Sequence, residues 1–196
     1  MKTIIATDFD GTLTSADTLL RFIRFACGDV RFLCGFTLYL PMIVLMKLRV
    51  CPNWKLKQKV FSRFFRGMRI EEFDRKCRDY AAKDRHILRR GGIEMVEKAQ
   101  ANGDEVVIVS ASIENWVQPF FPGVRVIGTR IEVTDGRLTG RFSTANCYGA
   151  EKTKRLLEIF PDRNGYRLVA YGDSGGDKEL LALADESHFK PWRTAQ

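Results

Sequence analysis

Apolar positions along this chain come in two rhythms. The run Ile4-Ile5-Ala6 leads through Thr7 into Asp8-Phe9-Asp10 and a Gly11-Thr12 turn, which predicts a buried strand with an acidic carboxyl end. From Asp17 to Cys27 the period lengthens, and Leu20, Phe22, Ile23 and Phe25 give a helix its apolar side. Phe32–Met46 carries no charge, is interrupted by Pro41 and is bracketed by Arg31, Lys47 and Arg49. It is shorter than the roughly 20 residues that a spanning helix needs. Asn53–Arg66 sets Trp54, Phe61, Phe64 and Phe65 among Lys55, Lys57, Lys59, Arg63 and Arg66, a basic amphipathic helix. Ile70–Arg90 reads as a polar helix closed by Gly91-Gly92. Residues 15–88 thus form a helical insertion without an evident strand.

Beyond it, short strand-like runs alternate with helical ones. Ile93–Ala101 is a predicted helix stopped by Asn102-Gly103, and Glu105–Ser110 a buried, β-branched strand. A helix is expected over Ile113–Phe120, ended by Pro122-Gly123. A hairpin follows, Val124–Val133 with Arg137–Phe142, turning through Asp135-Gly136. Ala150–Phe160 is a helix, Tyr166–Tyr171 a buried strand, Gly172–Asp177 a loop and Lys178–Ala184 a last helix. The alternation predicts an α/β fold, a doubly wound parallel sheet built from 1–14 and 89–196, with a helical cap inserted over 15–88.

Charge sharpens that division. Of the formal +8, the segment 15–90 holds 18 Lys and Arg against 7 Asp and Glu, while the rest holds 14 against 17. A basic insertion suits phosphorylated or anionic partners, or is simply a solvated face. The five cysteines (Cys27, Cys34, Cys51, Cys77, Cys147) are scattered and form no CxxC pair, which argues against a disulfide framework or zinc site and for a reducing compartment. Met1-Lys2-Thr3 runs directly into the first strand, the pattern expected of a cytoplasmic chain without a secretory signal.

Candidate chemistry gathers at strand ends. Residues i and i+2 of a strand point to one side, so Asp8 and Asp10 are expected to project together where open α/β sheets bind ligands. Two carboxylates there repel, and a divalent cation is the natural third member. Ser110 with Ser112, Lys152, and Asp173 with Asp177 fall at comparable positions. Together they supply what phosphate-monoester hydrolysis requires. Asp8 could attack phosphorus, Asp10 could protonate the leaving oxygen, and Ser110 with the N–H groups after it, at Ala111 and Ser112, could hold phosphate oxygens beside Lys152. A hard cation could take oxygens from Asp8, the Asp10 main chain and Asp173. Taken singly, Lys152 also fits a solvated helix lysine, and Asp173 and Asp177 a turn and a helix cap.

In their order and spacing these segments resemble the haloacid dehalogenase superfamily, in its phosphoserine-phosphatase-like branch. Asp8–Leu13 matches the first motif, Val106–Ser110 the second, Lys152 the third and Gly172–Asp177 the fourth. The resemblance implies a phosphoaspartyl enzyme using Mg²⁺. Asp8 would be nucleophile, Asp10 acid and base, Ser110 and Lys152 phosphate ligands, Asp173 a metal ligand and Asp177 a support for the metal's waters. The insertion would be the family's helical cap. Gly176 departs from the family's frequent Asn before its last Asp.

Substrate clues lie in the cap. Asp17 stands where the phosphoserine phosphatases carry an acid facing the substrate amine, but it also fits a helix N-terminal acid. Arg63, Arg66 and Arg69 are candidates by region for a carboxylate. The apolar stretch and the basic aromatic helix suit docking on anionic lipid, and with Asp17-Thr18-Leu19 and Asp173-Ser174 they resemble the phosphatidylglycerophosphatase C group. The alternative is that these apolar residues pack the cap itself. A lipid phosphate, with peripheral contact at the inner membrane face, is therefore weighed against a small soluble phosphomonoester. A non-catalytic membrane-binding module is the non-enzyme reading. The chain carries no recognisable nucleic-acid module, and the acidic site would repel backbone phosphate.

Overall fold

The computed structural model describes residues 2–37 and 53–193. The part of Phe32–Met46 beyond Thr37, and Cys51, lie outside the described residues. Five parallel strands form the sheet in the order β3-β2-β1-β6-β7: β1 is Lys2–Thr7, β2 Glu105–Ile113, β3 Arg125–Thr129, β6 Tyr166–Gly172 and β7 Glu186–Phe189. β1 is central, with Ala6 paired to Val107 on one side and to Ala170 on the other. Its alternation is buried on both faces. Ile5, Val106, Ile108 and Val169 join one apolar cluster, and Ile4, Ala6, Val107, Val109, Leu168 and Ala170 the other. That explains why these strands read as unbroken apolar runs.

The first of these clusters continues into the insertion. Helices α1 (Thr18–Cys27), α2 (Asp29–Thr37), α3 (Asn53–Phe65) and α4 (Ile70–Lys83) cover that side. Phe22 lies 4.9–5.5 Å, centroid to centroid, from Phe65, Phe73, Tyr80 and Trp116. Phe61, Phe64 and Phe65 are buried, so the aromatic side of the basic helix packs the cap's interior. Among the described residues, Trp54, Leu20, Val30 and Leu33 are the large apolar side chains of the cap left exposed. No helix among the described residues is long and apolar enough to cross a membrane.

Several expected boundaries move. Helix α4 ends at Lys83, and a short turn, Arg85–Ile87, leads out of the cap. Gly91-Gly92 does not end a helix but sits in the first turn of α5 (Arg90–Ala101). A Cβ at Gly92 would lie 2.9 Å from Leu13 Cδ2 and one at Gly91 2.3 Å from Trp192 Cδ1, so close packing explains the pair. β2 continues past Ser110 to Ile113 after a register shift, leaving α6 (Glu114–Val117) only one turn. The expected strand 124–133 is two strands: β3 belongs to the parallel sheet, and β4 (Ile131–Thr134) pairs antiparallel with β5 (Arg137–Phe142). The chain leaves the sheet at Arg130, whose guanidinium bonds Glu114, and the hairpin bonds the turn between α3 and α4 through Gly67 N–H to the Leu138 carbonyl at 2.8 Å. The remaining α-helices among the described residues are α7 (Ala150–Ile159) and α8 (Lys178–Leu183).

Candidate active site

β1 hands the chain to the site at Thr7. Asp8 N–H still donates to the Tyr171 carbonyl at 2.9 Å, continuing the β6 ladder by one residue. The two aspartates therefore stand in the turn beyond the strand, and Gly11 (φ 80°) closes it. A Cβ on Gly11 would lie 2.4 Å from Asp173 Oδ2, so the position needs glycine for both conformation and space. Phe9, Thr12 and Leu13 anchor the turn in the core.

Each aspartate is held differently. Asp8 Oδ1 accepts from Lys152 Nζ at 2.6 Å, and that ammonium also donates to Asp177 Oδ1 at 2.5 Å. All three side chains are buried. Asp10 Oδ1 accepts from Thr18 N–H at 2.8 Å, at the start of α1, and Oδ2 accepts from the Ser112 hydroxyl. Burial pushes Asp8 up to about 7, against the pull of Lys152. Burial and then Asp17 raise Asp10, whose Ser112 and Thr18 bonds act the other way. Burial opposes ionisation of Asp177 too, but Lys152 and the N–H groups of Ser174 and Asp173 hold it below the usual carboxylate range. Lys152 is raised despite its burial, because Asp8 and Asp177 flank it, and it stays charged.

The fourth segment is tightly wired. Asp177 Oδ2 accepts from Asp173 N–H (3.1 Å), Ser174 N–H (3.0 Å) and the Ser174 hydroxyl (2.9 Å), while the Ser174 hydroxyl accepts from Gly176 N–H at 3.2 Å. This reciprocal cap aims the start of α8. Asp173 is ion-paired with Arg193, and burial and Asp177 raise its carboxyl. One oxygen each from Asp8, Asp173 and Asp177 lies within 4.8 Å of the others. This hard, all-oxygen donor set, with the pKa values of two of its carboxyls raised, fits a small divalent cation such as Mg²⁺. Asp177 has Lys152 and three donors already, so Asp8 and Asp173 are the carboxylates with most to gain from it. The Asp10 carboxylate is occupied by Thr18 and Ser112, which leaves its main chain for a cation.

Ser110 is buried at the end of the central run of β2, and its Oγ accepts from Ser112 N–H at 3.1 Å. Ser110, Ala111 and Ser112 line the same cleft as Asp8, Asp10, Lys152 and Asp173, a space of about 630 Å³. Asp17 also lines it, and its Oδ1 accepts from Leu19 N–H at 2.9 Å as the N-cap of α1. Arg63, Arg66 and Arg69 lie exposed and do not line the cleft. Among the described residues, the cap cation in the cleft is Lys57, which donates to the Ala111 carbonyl and, at 3.3 Å, to Asn146 Oδ1. Its signal was in the sequence: Lys57 shares the helical stripe of Val60, Phe61 and Phe64, whereas Lys55, Lys59 and Arg63 do not. Leu19, Leu20, Trp54, Leu56 and Val60 make the apolar wall, and Tyr148 packs against Gly176 at the rim.

The family model for haloacid dehalogenase-like hydrolases matches residues 5–182. Protein CicA of Caulobacter vibrioides, in strains NA1000 / CB15N and ATCC 19089 / CIP 103742 / CB 15, is 34% identical over 197 aligned residues, covering 97% of this chain and 86% of the relative. Among solved structures, a protein of unknown function from Bordetella pertussis Tohama I superposes with a TM-score of 0.81 at 18% identity, covering 95% of this chain and 89% of that one. A phosphoserine phosphatase in its apo form gives a TM-score of 0.64 at 19% identity, covering 96% and 86%. These two likenesses show a shared fold.

Proposed function

Because this chain belongs to the haloacid dehalogenase-like hydrolase family, we propose that it is a Mg²⁺-dependent phosphatase of phosphomonoesters working through a phosphoaspartyl intermediate. The observation that carries the reading is the meeting of Asp8, Asp10, Ser110, Ser112 and Lys152 in one cleft. Asp8 forms the new O–P bond as the ester O–P bond breaks, and Asp10 gives its proton to the departing oxygen. Asp10's raised carboxyl suits that donation, and its bonds to Thr18 and Ser112 fix its direction. Water then attacks the phosphoaspartate while Asp10 takes the proton back, releasing phosphate and restoring Asp8. Lys152 keeps Asp8 oriented, and the Ser110 hydroxyl with the N–H groups after it receives the transferring oxygens. Bound Mg²⁺, held by Asp8, Asp173 and the Asp10 main chain with Asp177 in support, would supply Lewis-acid neutralisation of the phosphate charge.

For the substrate, we favour a lipid phosphate such as phosphatidylglycerophosphate. The supporting observations are the apolar wall of Leu19, Leu20, Trp54, Leu56 and Val60 in the cleft and the exposure of Val30 and Leu33 on α2. A small soluble phosphomonoester is the second reading, favoured by a bounded cleft of about 630 Å³ and by the phosphoserine phosphatases that share the fold. The test is Mg²⁺-dependent phosphate release from phosphoserine, sugar phosphates and phosphatidylglycerophosphate in mixed micelles, with sedimentation on anionic liposomes. Preference for phosphoserine without sedimentation overturns the lipid reading. Phosphate release that survives Asp8→Asn overturns the mechanism.

A further inference from the structure

Among the described residues, four acidic side chains (Asp8, Asp10, Asp17 and Asp173) and two lysines line the cleft. The two lysines differ in what they face. Lys152 is satisfied by the carboxylates of Asp8 and Asp177. Lys57 has only neutral acceptors, the Ala111 carbonyl and the Asn146 amide oxygen, and among the described residues no carboxylate lies within 4.0 Å of it. Asp10 and Asp17 act on it only from beyond ion-pair distance, and a cation drawn out of bulk water without a directly bonded carboxylate is costly, so an anion in contact is the partner that relieves the cost. Its location says which part of a substrate brings that anion. The transferring phosphoryl group has Ser110, the following N–H groups and the Asp8–Asp173 cation position. Lys57 projects from α3 on the cap, beside Leu56 and Val60, where a leaving group would rest.

Building on the phosphatase reading, we propose that Lys57 is a specificity-determining residue that binds a second anionic group on the leaving group, a carboxylate or a phosphodiester. The natural substrate then carries at least two separate anionic groups, one transferred and one recognised. Phe142, whose ring centroid is 5.9 Å from Lys57 Nζ, flanks the ammonium. Burial lowers Lys57 to about 8 although Asp10 and Asp17 draw it up, as expected for a cation awaiting a counter-charge. The Thr129 hydroxyl donates to the same Ala111 carbonyl at 2.7 Å and lies 3.3 Å from Asn146 Oδ1, so β3 positions both acceptors of Lys57.

Three probes with related backbones separate the possibilities: glycerol 3-phosphate, 3-phosphoglycerate and glycerophosphoglycerol phosphate. The wild type should favour at least one doubly anionic probe over glycerol 3-phosphate by about thirty-fold in kcat/KM, the range of one charge-assisted hydrogen bond. Lys57→Met should collapse that ratio, mainly through KM, and Lys57→Arg should keep most of it. A larger gain on the phosphodiester identifies a lipid headgroup, and a larger gain on the carboxylate a soluble acid. Equal losses on all probes in Lys57→Met, or no preference in the wild type, overturn the inference while leaving the phosphatase reading intact. No phosphate release from any probe overturns that reading and this inference with it. If Lys57→Met fails to fold by circular dichroism, the wild-type preference and Lys57→Arg decide.

Discussion

Replacing Asp8 by asparagine should stop turnover and yet stabilise the metal-free protein at pH 8. Burial lifts the Asp8 carboxyl from 3.8 to about 7, Lys152 opposing and Asp177 and Asp10 adding to the rise. A carboxyl whose folded pKa lies above its unfolded one holds its proton more tightly in the fold. It therefore imposes no penalty below about pH 4, a growing one as pH rises to about 7, and the full penalty above. Roughly three pH units at about 1.4 kcal/mol each set an upper bound of about 4 kcal/mol. Asparagine keeps the shape and an oxygen for Lys152 but leaves that ammonium with Asp177 as its one carboxylate partner. We expect that loss to offset part of the gain, leaving about 2–3 kcal/mol. Urea unfolding in EDTA at pH 5 and pH 8, followed by circular dichroism, reads the difference. The wild type should lose more stability than Asp8→Asn between the two pH values, and the variant should be the more stable at pH 8. Added Mg²⁺ should narrow or reverse the order by binding the wild-type carboxylate. An Asp8→Asn protein no more stable than wild type at pH 8 in EDTA would refute the account.

Further outcomes follow from the same geometry. Lys152→Met leaves Asp8 and Asp177 facing each other without their cation, and should cost about 3–5 kcal/mol in metal-free urea unfolding at pH 8 as well as phosphate release. Gly11→Ala forces a side chain into φ 80° and against the Asp173 carboxylate, and should cost about 1–3 kcal/mol and raise the Mg²⁺ concentration needed for half-maximal activity. Lys57 is held to about 8 by burial, with Asp10, Asp17 and Cys147 drawing it up and Lys152 pushing it down. Its charged form is thus present below that pH and lost above it, so kcat/KM for a doubly anionic substrate should fall above about pH 8 in the wild type. Lys57→Arg should lack that alkaline limb, since guanidinium does not titrate there.

Much of the fold was legible because buried parallel strands leave a local record. Val106–Val109 and Leu168–Ala170 must be apolar at every position when both faces are covered, and the sequence says so. The hairpin turn was legible for a similar reason, since Asp135 and Gly136 both take positive φ (51° and 70°). The break at Arg130 was not. It depends on a guanidinium meeting Glu114 sixteen residues earlier, and on the turn between α3 and α4 offering Gly67 N–H to Leu138. Gly91-Gly92 misled for the same kind of reason: the pair marks close approach of Leu13 and Trp192, partners distant in sequence.

The candidate site divides along the same line. Asp8, Asp10, Ser110, Lys152, Asp173 and Asp177 could be singled out from the chain alone, because each ends a strand or opens a helix and such positions are marked locally. Residue identity thus determined which groups were available for chemistry. Which group touches which was decided by the tertiary structure. Only packing puts Lys152 between Asp8 and Asp177, turns the Asp10 carboxylate to Thr18 and Ser112, and sends Arg63 and Arg66 to the surface while Lys57 enters the cleft. A helix's charged residues look alike in a sequence, and only the body it packs against tells the solvated face from the one that meets a substrate.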